Sequence, residues 1–382
     1  MKNFTAYNPT KLFFGKGVLD EFGDTLLALG KKTLLVTGKK SVKKYGYFDI
    51  VTQKLNDLGI NYVKYEGISP NPSIKDVRKA VKLCKKEKVD FIVALGGGSV
   101  IDSAKIIAAS YSNNAEPWDV MTGKVPLEKR TPLAVILTFA GTGSEMNSAA
   151  VIQNEEENLK IGFADPSLFP DYSYLDPTFT KTVPKNQTIY GIADLIAHSL
   201  EAYFAEGDAH LSDRFIAALF NEVSEVAPLL LENLHNYEYR YRIMWAATVA
   251  LNGTLYHGRK TSGDWGVHSL GHALSFMFDT PHGATLSLIY PAWLKHMKSK
   301  ISDRIANLGK LITGKEVTAE QTIEIIENFF KKIGAPTEWG QVELCPNDKF
   351  LIKKFWINSK ASGTYHKLEE EDYDGILSKI NG

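Results

Sequence analysis

The sequence predicts an α/β N-terminal domain built on a parallel sheet, followed by an all-α C-terminal domain. Three observations carry that prediction. Before Pro184, strand-like and helix-like segments alternate, the order that a parallel sheet with crossover helices produces. FIVAL (91–95) and LAVILT (133–138) are unbroken apolar runs, as expected of strands covered on both faces. After Pro184 the segments 186–206, 209–232, 238–257, 261–276, 283–298, 301–313 and 318–333 carry helical spacing, with no convincing strand among them. The change falls in DPTFTKTVPKNQ, which sets the domains at 1–184 and 185–382.

The first half reads in order as follows. TLLVT (33–37) is a short apolar strand, and 41–58 is a helix ending at Gly59. NYVKYEG is the next strand, and Ser73, after the loop ISPNPS, N-caps a helix over 74–88. FIVAL runs straight into GGGS and a helix over about 99–110. LAVILT runs into a second polar turn, AGTGSE. Turns after parallel strands are where α/β sheets bind ligands.

Composition narrows the function. With 382 residues the chain has room for two domains, and 44% hydrophobic with 23% charged content is that of a soluble globular protein. Lys plus Arg and Asp plus Glu are 44 each, so no net field recruits nucleic acid or an anionic membrane. Cys84 and Cys345 are far apart and match no metal-ligand spacing, which points to buried reduced thiols. The N-terminal stretch lacks an apolar signal core, and no apolar run reaches the ~18 residues of a membrane span. A soluble cytoplasmic protein is expected.

Gly96, Gly97 and Gly98 follow a strand, and Ser99 opens a helix. Glycines let a backbone approach a phosphate, and a helix start offers unpaired N–H groups and a positive dipole end. The turn is neither GxGxxG nor a P-loop, yet its placement favours a dinucleotide pyrophosphate. The turn from Thr138 to Asn147 is suited to the nicotinamide half. Where an NAD site places an acid after an early strand, this chain has Gly38, Lys39, Lys40, Ser41, Lys43 and Lys44, with no acid before Asp49. NADP(H) is therefore the expected cofactor.

Chemistry concentrates in the second half. Asp194 and His198 are four apart in GIADLIAHSLE, so they leave one helical face a turn apart. His268, His272 and His282 follow within fifteen residues, interleaved with Trp265, Phe276, Met277 and Phe278. A carboxylate and imidazoles in apolar surroundings suit a divalent metal, with Asp194, His198, His268 and His282 as ligands. Glu201, a turn beyond His198, competes for a ligand position. His272 has three possible roles: fifth ligand, core residue or proton carrier. The proton carrier is preferred, because imidazole is the natural proton relay near neutral pH. Trp265, Phe276 and Phe278 form either an apolar wall or plain helical core.

With GGGSVIDSAK, FAGTGSEMN, GIADLIAHSLE and HSLGHALSFMFDTPHG in this order, the chain resembles the iron-containing alcohol dehydrogenase family. Within it, GDWGVHSLGH and Gly38 look most like the NADPH-dependent butanol dehydrogenase branch. The resemblance implies a dehydroquinate synthase-like architecture, a homodimer, and reversible hydride transfer between NADPH and aldehydes such as butanal. It implies Asp194, His198, His268 and His282 as ligands of one Fe2+ or Zn2+, with His272 a non-ligand histidine near the nicotinamide. It also implies cofactor contacts at Gly38 and Ser41 for the 2′-phosphate and at Gly97, Gly98 and Ser99 for the pyrophosphate. Asn71, Asp102, Thr138, Thr142, Asn147 and Lys160 complete that implied path.

Rival readings remain at this level. A lyase of the dehydroquinate synthase type, or a glycerol-1-phosphate dehydrogenase, would want cations beside the ligands, and around 261–286 only Arg259 and Lys260 come near. A polyol dehydrogenase of the glycerol type is a further alternative. A non-catalytic nucleotide or metal sensor would not need a proton donor beside a full ligand set.

Overall fold

The alternation before Pro184 builds a six-stranded sheet with every neighbouring pair parallel. The computed structural model describes residues 1–342, 344 and 348–380, so Cys345 lies outside the described residues. The strands are β1 (Lys11–Phe14), β2 (Lys32–Gly38), β3 (Asn61–Ile68), β4 (Phe91–Gly96), β5 (Leu133–Leu137), β6 (Ala149–Asn154), β7 (Leu159–Ala164) and β8 (Tyr172–Leu175). The sheet order is β1-β8-β5-β4-β2-β3, and β6 pairs with β7 as a separate antiparallel hairpin. The helices among them are α1 (Phe22–Leu26), α2 (Ser41–Lys44), α3 (Tyr47–Asp57), α4 (Ile74–Glu87), α5 (Gly98–Asn113) and α6 (Pro117–Met121).

Alternation along the central strands sends side chains to two cores. Leu34, Val36, Ile92, Ala94 and Val135 join α4 and α5 on one face, while Leu35, Phe91, Val93, Leu95 and Ile136 join α1 and α3 on the other. Covering on both faces explains the unbroken apolar runs. Strand order reverses between β2 and β4, because β2 leads outward to β3 whereas β4 leads to β5 on the opposite side. That makes the C-terminal ends of β2 and β4, at Gly38 and Gly96, the topological switch point.

The chain divides into two compact units. One holds Asn8–Val183 with His235–Met244; the other holds Met1–Tyr7, Pro184–Leu234 and Trp245–Gly382. Beyond Pro184 follow α7 (Lys185–Phe204), α8 (His210–Glu232), α9 (Tyr237–Leu251), α10 (Gly266–Phe278), α11 (His282–Thr313), α12 (Ala319–Ile333), α13 (Lys349–Ser359) and α14 (Glu370–Leu377), with no strand there among the described residues. Residues 191–204 of α7 are buried without interruption, the mark of a helix enclosed by its unit. This is why Asp194, His198 and Glu201 come to lie in its interior.

Some boundaries differ from expectation. The helix expected over 41–58 breaks into α2 and α3 because Gly46 takes φ 77°, outside the helical region. Segments 283–298 and 301–313 join as α11, bent where Ile301 leaves helical geometry (φ −133°, ψ 33°). Ser73 does cap α4, its hydroxyl accepting from the Lys75 N–H at 3.2 Å. Cys84 is buried on α4, and burial pushes its thiol up to about 12. Among the described residues, no helix is long and apolar enough to cross a membrane.

Candidate metal centre and cofactor turns

α7, α10 and α11 bring the proposed ligands together around Asp194. From Asp194 Oδ1, the Nε2 atoms of His198, His282 and His268 lie 3.6, 3.8 and 3.9 Å away. These separations are too long for hydrogen bonds. They suit donors that share a divalent ion at about 2.1 Å each, which stand roughly 3–4 Å apart. Donor atoms of Asp194, His268 and His282 all fall within 4.8 Å of one another, and the His198 ring stacks on His268 at 4.8 Å. His268 Nε2 is buried and has no hydrogen-bond partner among the described residues. Burial alone would depress the His268 pKa, but the Asp194 and Glu201 carboxylates outweigh it and raise the value to about 9. A pocket with that pull on positive charge fits a cation.

Glu201 stands behind the ligands. Its Oε1 meets His268 Nδ1 at 2.9 Å and accepts the His268 N–H at 3.0 Å, while Oε2 accepts the Trp265 N–H at 2.6 Å. This is the carboxylate–histidine arrangement that orients a metal-ligating ring and leaves the far nitrogen for the ion. His272 is half-buried, with its ring 5.3 Å from that of His282. Trp265 sets its ring edge against His268 at 5.1 Å, and Phe276 packs on Phe355 at 5.5 Å. Gly283, next to His282, faces the backbone carbonyl of Tyr190 so closely that a Cβ has no room. α7 and α11 therefore meet backbone to backbone beside the ligands.

The Gly-rich segment of the first unit forms a cradle at the switch point. α5 starts at Gly98, and a Cβ there would run into the Thr142 side chain; one on Gly97 would lie 3.0 Å from Phe139 Cβ. The Thr138 N–H donates to Gly96 O at 3.0 Å, so the two expected turns pack on each other. Ser99 Oγ donates to Pro70 O, and Lys160 Nζ to Asn71 Oδ1 at 2.9 Å, which brings Asn71, Ser99 and Lys160 to the same rim. A cradle of glycines at the start of a sixteen-residue helix fits a pyrophosphate. Gly38 ends β2 with open space for a Cβ at ordinary contact distances, and exposed Ser41 opens α2.

Two of the expected cofactor residues are engaged internally. Asp102 accepts from the Ser144 hydroxyl and the Val151 N–H. Asn147 is buried, and its Oδ1 accepts from Lys105 Nζ at 2.9 Å. Lys105 is fully buried and also donates to the carbonyls of Asn147 and Ala149 at 2.9 and 2.7 Å, pinning the second turn to α5. A lysine inside the apolar run SVIDSAKIIAA was the signal for this hub. Asp264, buried below Trp265, had no such signal: its partners Tyr365 and His366 lie about a hundred residues later. Burial and the nearby Glu201 carboxylate raise its pKa to about 7.

Comparisons with known proteins agree along the whole chain. Residues 9–177 match the family model for iron-containing alcohol dehydrogenase, and residues 188–379 match the model for the C-terminal part of that family. A probable NADH-dependent butanol dehydrogenase of Bacillus subtilis is 38% identical, covering 99% of each chain. The NADPH-dependent aldehyde reductase YqhD of Escherichia coli is 35% identical over 88% of each. The crystal structure of an NADH-dependent butanol dehydrogenase from Thermotoga maritima superposes with a TM-score of 0.95 at 36% identity, covering 100% of this chain and 99% of that one. On the motifs, the ligand geometry and these matches together, the chain belongs to the iron-containing alcohol dehydrogenase family.

Proposed function

We propose that the chain is a metal-dependent, NADPH-preferring alcohol dehydrogenase that works chiefly as an aldehyde reductase on substrates such as butanal. The observation that carries this is the gathering of three imidazoles around one carboxylate, each Nε2 3.6–3.9 Å from Asp194 Oδ1. Asp194, His198, His268 and His282 would hold one Fe2+ or Zn2+, since a set of one oxygen and three nitrogens suits either. When bound, the ion acts as a Lewis acid toward a carbonyl oxygen and the nicotinamide donates hydride to the carbon. Gly97, Gly98 and Ser99 hold the pyrophosphate, and Asn71, Asp102, Thr138, Thr142, Asn147 and Lys160 shape the remaining cofactor path. His272 supplies the proton that completes the hydroxyl, directly or through water or a ribose hydroxyl. Aldehyde, NADPH and a proton thus give alcohol and NADP+.

The NADPH preference rests on Gly38, Ser41 and the exposed lysines Lys39 and Lys40, with no carboxylate on that turn. NADH is the second reading. It is favoured by Glu66, which pairs with Lys43 at 2.7 Å at the end of the neighbouring strand, and by the NADH-dependent relatives. A phosphorylated substrate is disfavoured, because Arg259 is committed to Asp213 and Lys260 to Glu206. Balanced charge and a buried Cys84 thiol support a cytoplasmic setting, and the family resemblance supports a homodimer.

The test is metal analysis of anaerobically purified protein together with butanal reduction by NADPH and NADH. One equivalent of metal and a higher kcat/KM with NADPH are expected. Higher kcat/KM with NADH would replace the cofactor assignment, and absence of turnover with either would defeat the function.

A further inference from the structure

We infer that the segment around residues 363–366 braces the metal centre, holding the His268 ring through Asp264 and Glu201 and so setting how tightly the ion is retained. The inference rests on the reading of Asp194, His198, His268 and His282 as ligands.

α10, which carries His268, begins without a cap of its own. Its N-cap residue is Trp265, held at φ 63° with no side-chain hydrogen bond to the first turn. A bulky residue in that conformation persists only when its surroundings impose it. Glu201 of α7 supplies the missing cap from another helix, accepting from the Trp265 and His268 N–H groups. The same carboxylate meets the His268 ring at Nδ1. One buried group therefore fixes the backbone, the ring plane and the tautomer of a single ligand.

Residues 363–366 keep this arrangement in place. The Asp264 N–H donates to Glu201 O at 3.0 Å, which ties the turn before α10 to α7. The Asp264 carboxylate accepts the N–H groups of Tyr365 and His366 at 2.9 and 2.7 Å, and its carbonyl accepts that of Thr364 at 2.6 Å. Thr364 Oγ1 donates to Gly263 O at 2.9 Å. Packing here leaves no slack: a Cβ on Gly363 would run into the Asp264 carboxylate, and one on Gly266 would lie 2.8 Å from Asp264 Oδ2. A second tie comes from α13, where Trp356 Nε1 donates to Leu270 O at 2.9 Å. Oδ1 of this buried carboxylate takes its hydrogen bonds from backbone donors of one short loop. The loop, Asp264, Glu201 and His268 form one continuous chain of contacts ending at Nδ1 of a ring whose far nitrogen faces Asp194.

The experiment uses full-length protein stripped of metal and reloaded with Co2+, whose visible spectrum reports ligand geometry. Affinity is read by competition with a chelator, and thermal stability is read on the same apo samples. His268→Ala is expected to abolish tight binding. Glu201→Gln is expected to weaken it by about 10–100-fold, the usual cost of losing such a partner, and to shift the spectrum. Asp264→Ala and Gly363→Ala should weaken it in the same direction with a smaller shift, while Asp264→Asn, which keeps an oxygen acceptor, should restore most of the affinity. Wild-type affinity and spectrum in Asp264→Ala and Gly363→Ala would overturn the brace while leaving the ligand set standing. Losses that merely follow the folded fraction, with an unshifted spectrum, would overturn it equally. Wild-type Co2+ affinity in His268→Ala would instead overturn the ligand set, and the brace with it.

Discussion

Four side chains make the proposed metal centre, whereas the proposed cofactor turns are made by leaving side chains out. At the centre, three imidazole nitrogens stand 3.6–3.9 Å from one oxygen of Asp194, and each proposed donor is a particular atom. At the switch point, Gly97 and Gly98 let two turns and a helix start close on one another, and on the proposed reading backbone N–H groups would do the binding. Different kinds of substitution should therefore damage the two regions. Deleting a side chain empties the first, and adding one closes the second.

The largest effect should come from deletion. His268→Ala is expected to lower kcat/KM for butanal by on the order of 10³, the several kcal/mol of polarisation an ion supplies, while KM for the cofactor holds. If activity survives in metal-free protein, the contrast between the regions collapses. The converse change is Gly98→Ala, where the new methyl meets Thr142. It should raise cofactor KM about 10–100-fold, the equivalent of a typical overpacking cost, and leave bound metal at one equivalent. Metal loss in that variant would mean that the regions are not separable. Gly283→Ala sharpens the comparison, because it adds bulk within the metal region. A backbone carbonyl cannot step aside as a side chain can, so about 3 kcal/mol of stability should go, read by denaturant unfolding.

The smallest effect concerns Lys105, which holds the second cofactor turn. Burial lowers its pKa to about 8, with Asp102 and Glu145 opposing that shift and Arg130 adding to it. In the unfolded chain it keeps the ordinary value of about 10.4. Between those values the unfolded state binds more protons, so stability from this group rises with pH and the cost of a buried charge is greatest below about 8. Wild type should gain on Lys105→Met by on the order of 1 kcal/mol between about pH 8 and pH 9. A constant difference across that range would show that the buried amine does not titrate there.

The legible parts of this chain were those with short-range signatures. FIVAL and LAVILT announced strands enclosed on both faces, and GIADLIAHSLE announced a helix with its donors a turn apart. Gly98 was legible as a turn residue, although its immediate reason is Thr142 rather than a phosphate. β1 and β8 were not legible, since four residues such as KLFF or YSYL carry too little periodicity to stand out. Glu201 was legible as a metal-site residue but not as the group behind His268, because its spacing permits both roles. Asp264 and Lys105 needed the tertiary fold, since the backbone groups that satisfy them come from distant stretches.

The cap that Glu201 places on α10 bears on metal identity. Glu201 holds both the backbone and the ring of His268, so part of this donor's orientation comes from the protein itself rather than from an ion. A proposed set of one oxygen and three nitrogens, with one ring held this way, suits iron or zinc. The occupant then follows the donors' ranking of ions and the supply at the time of loading. Metal content measured after purification is accordingly a record of growth conditions as well as of the protein.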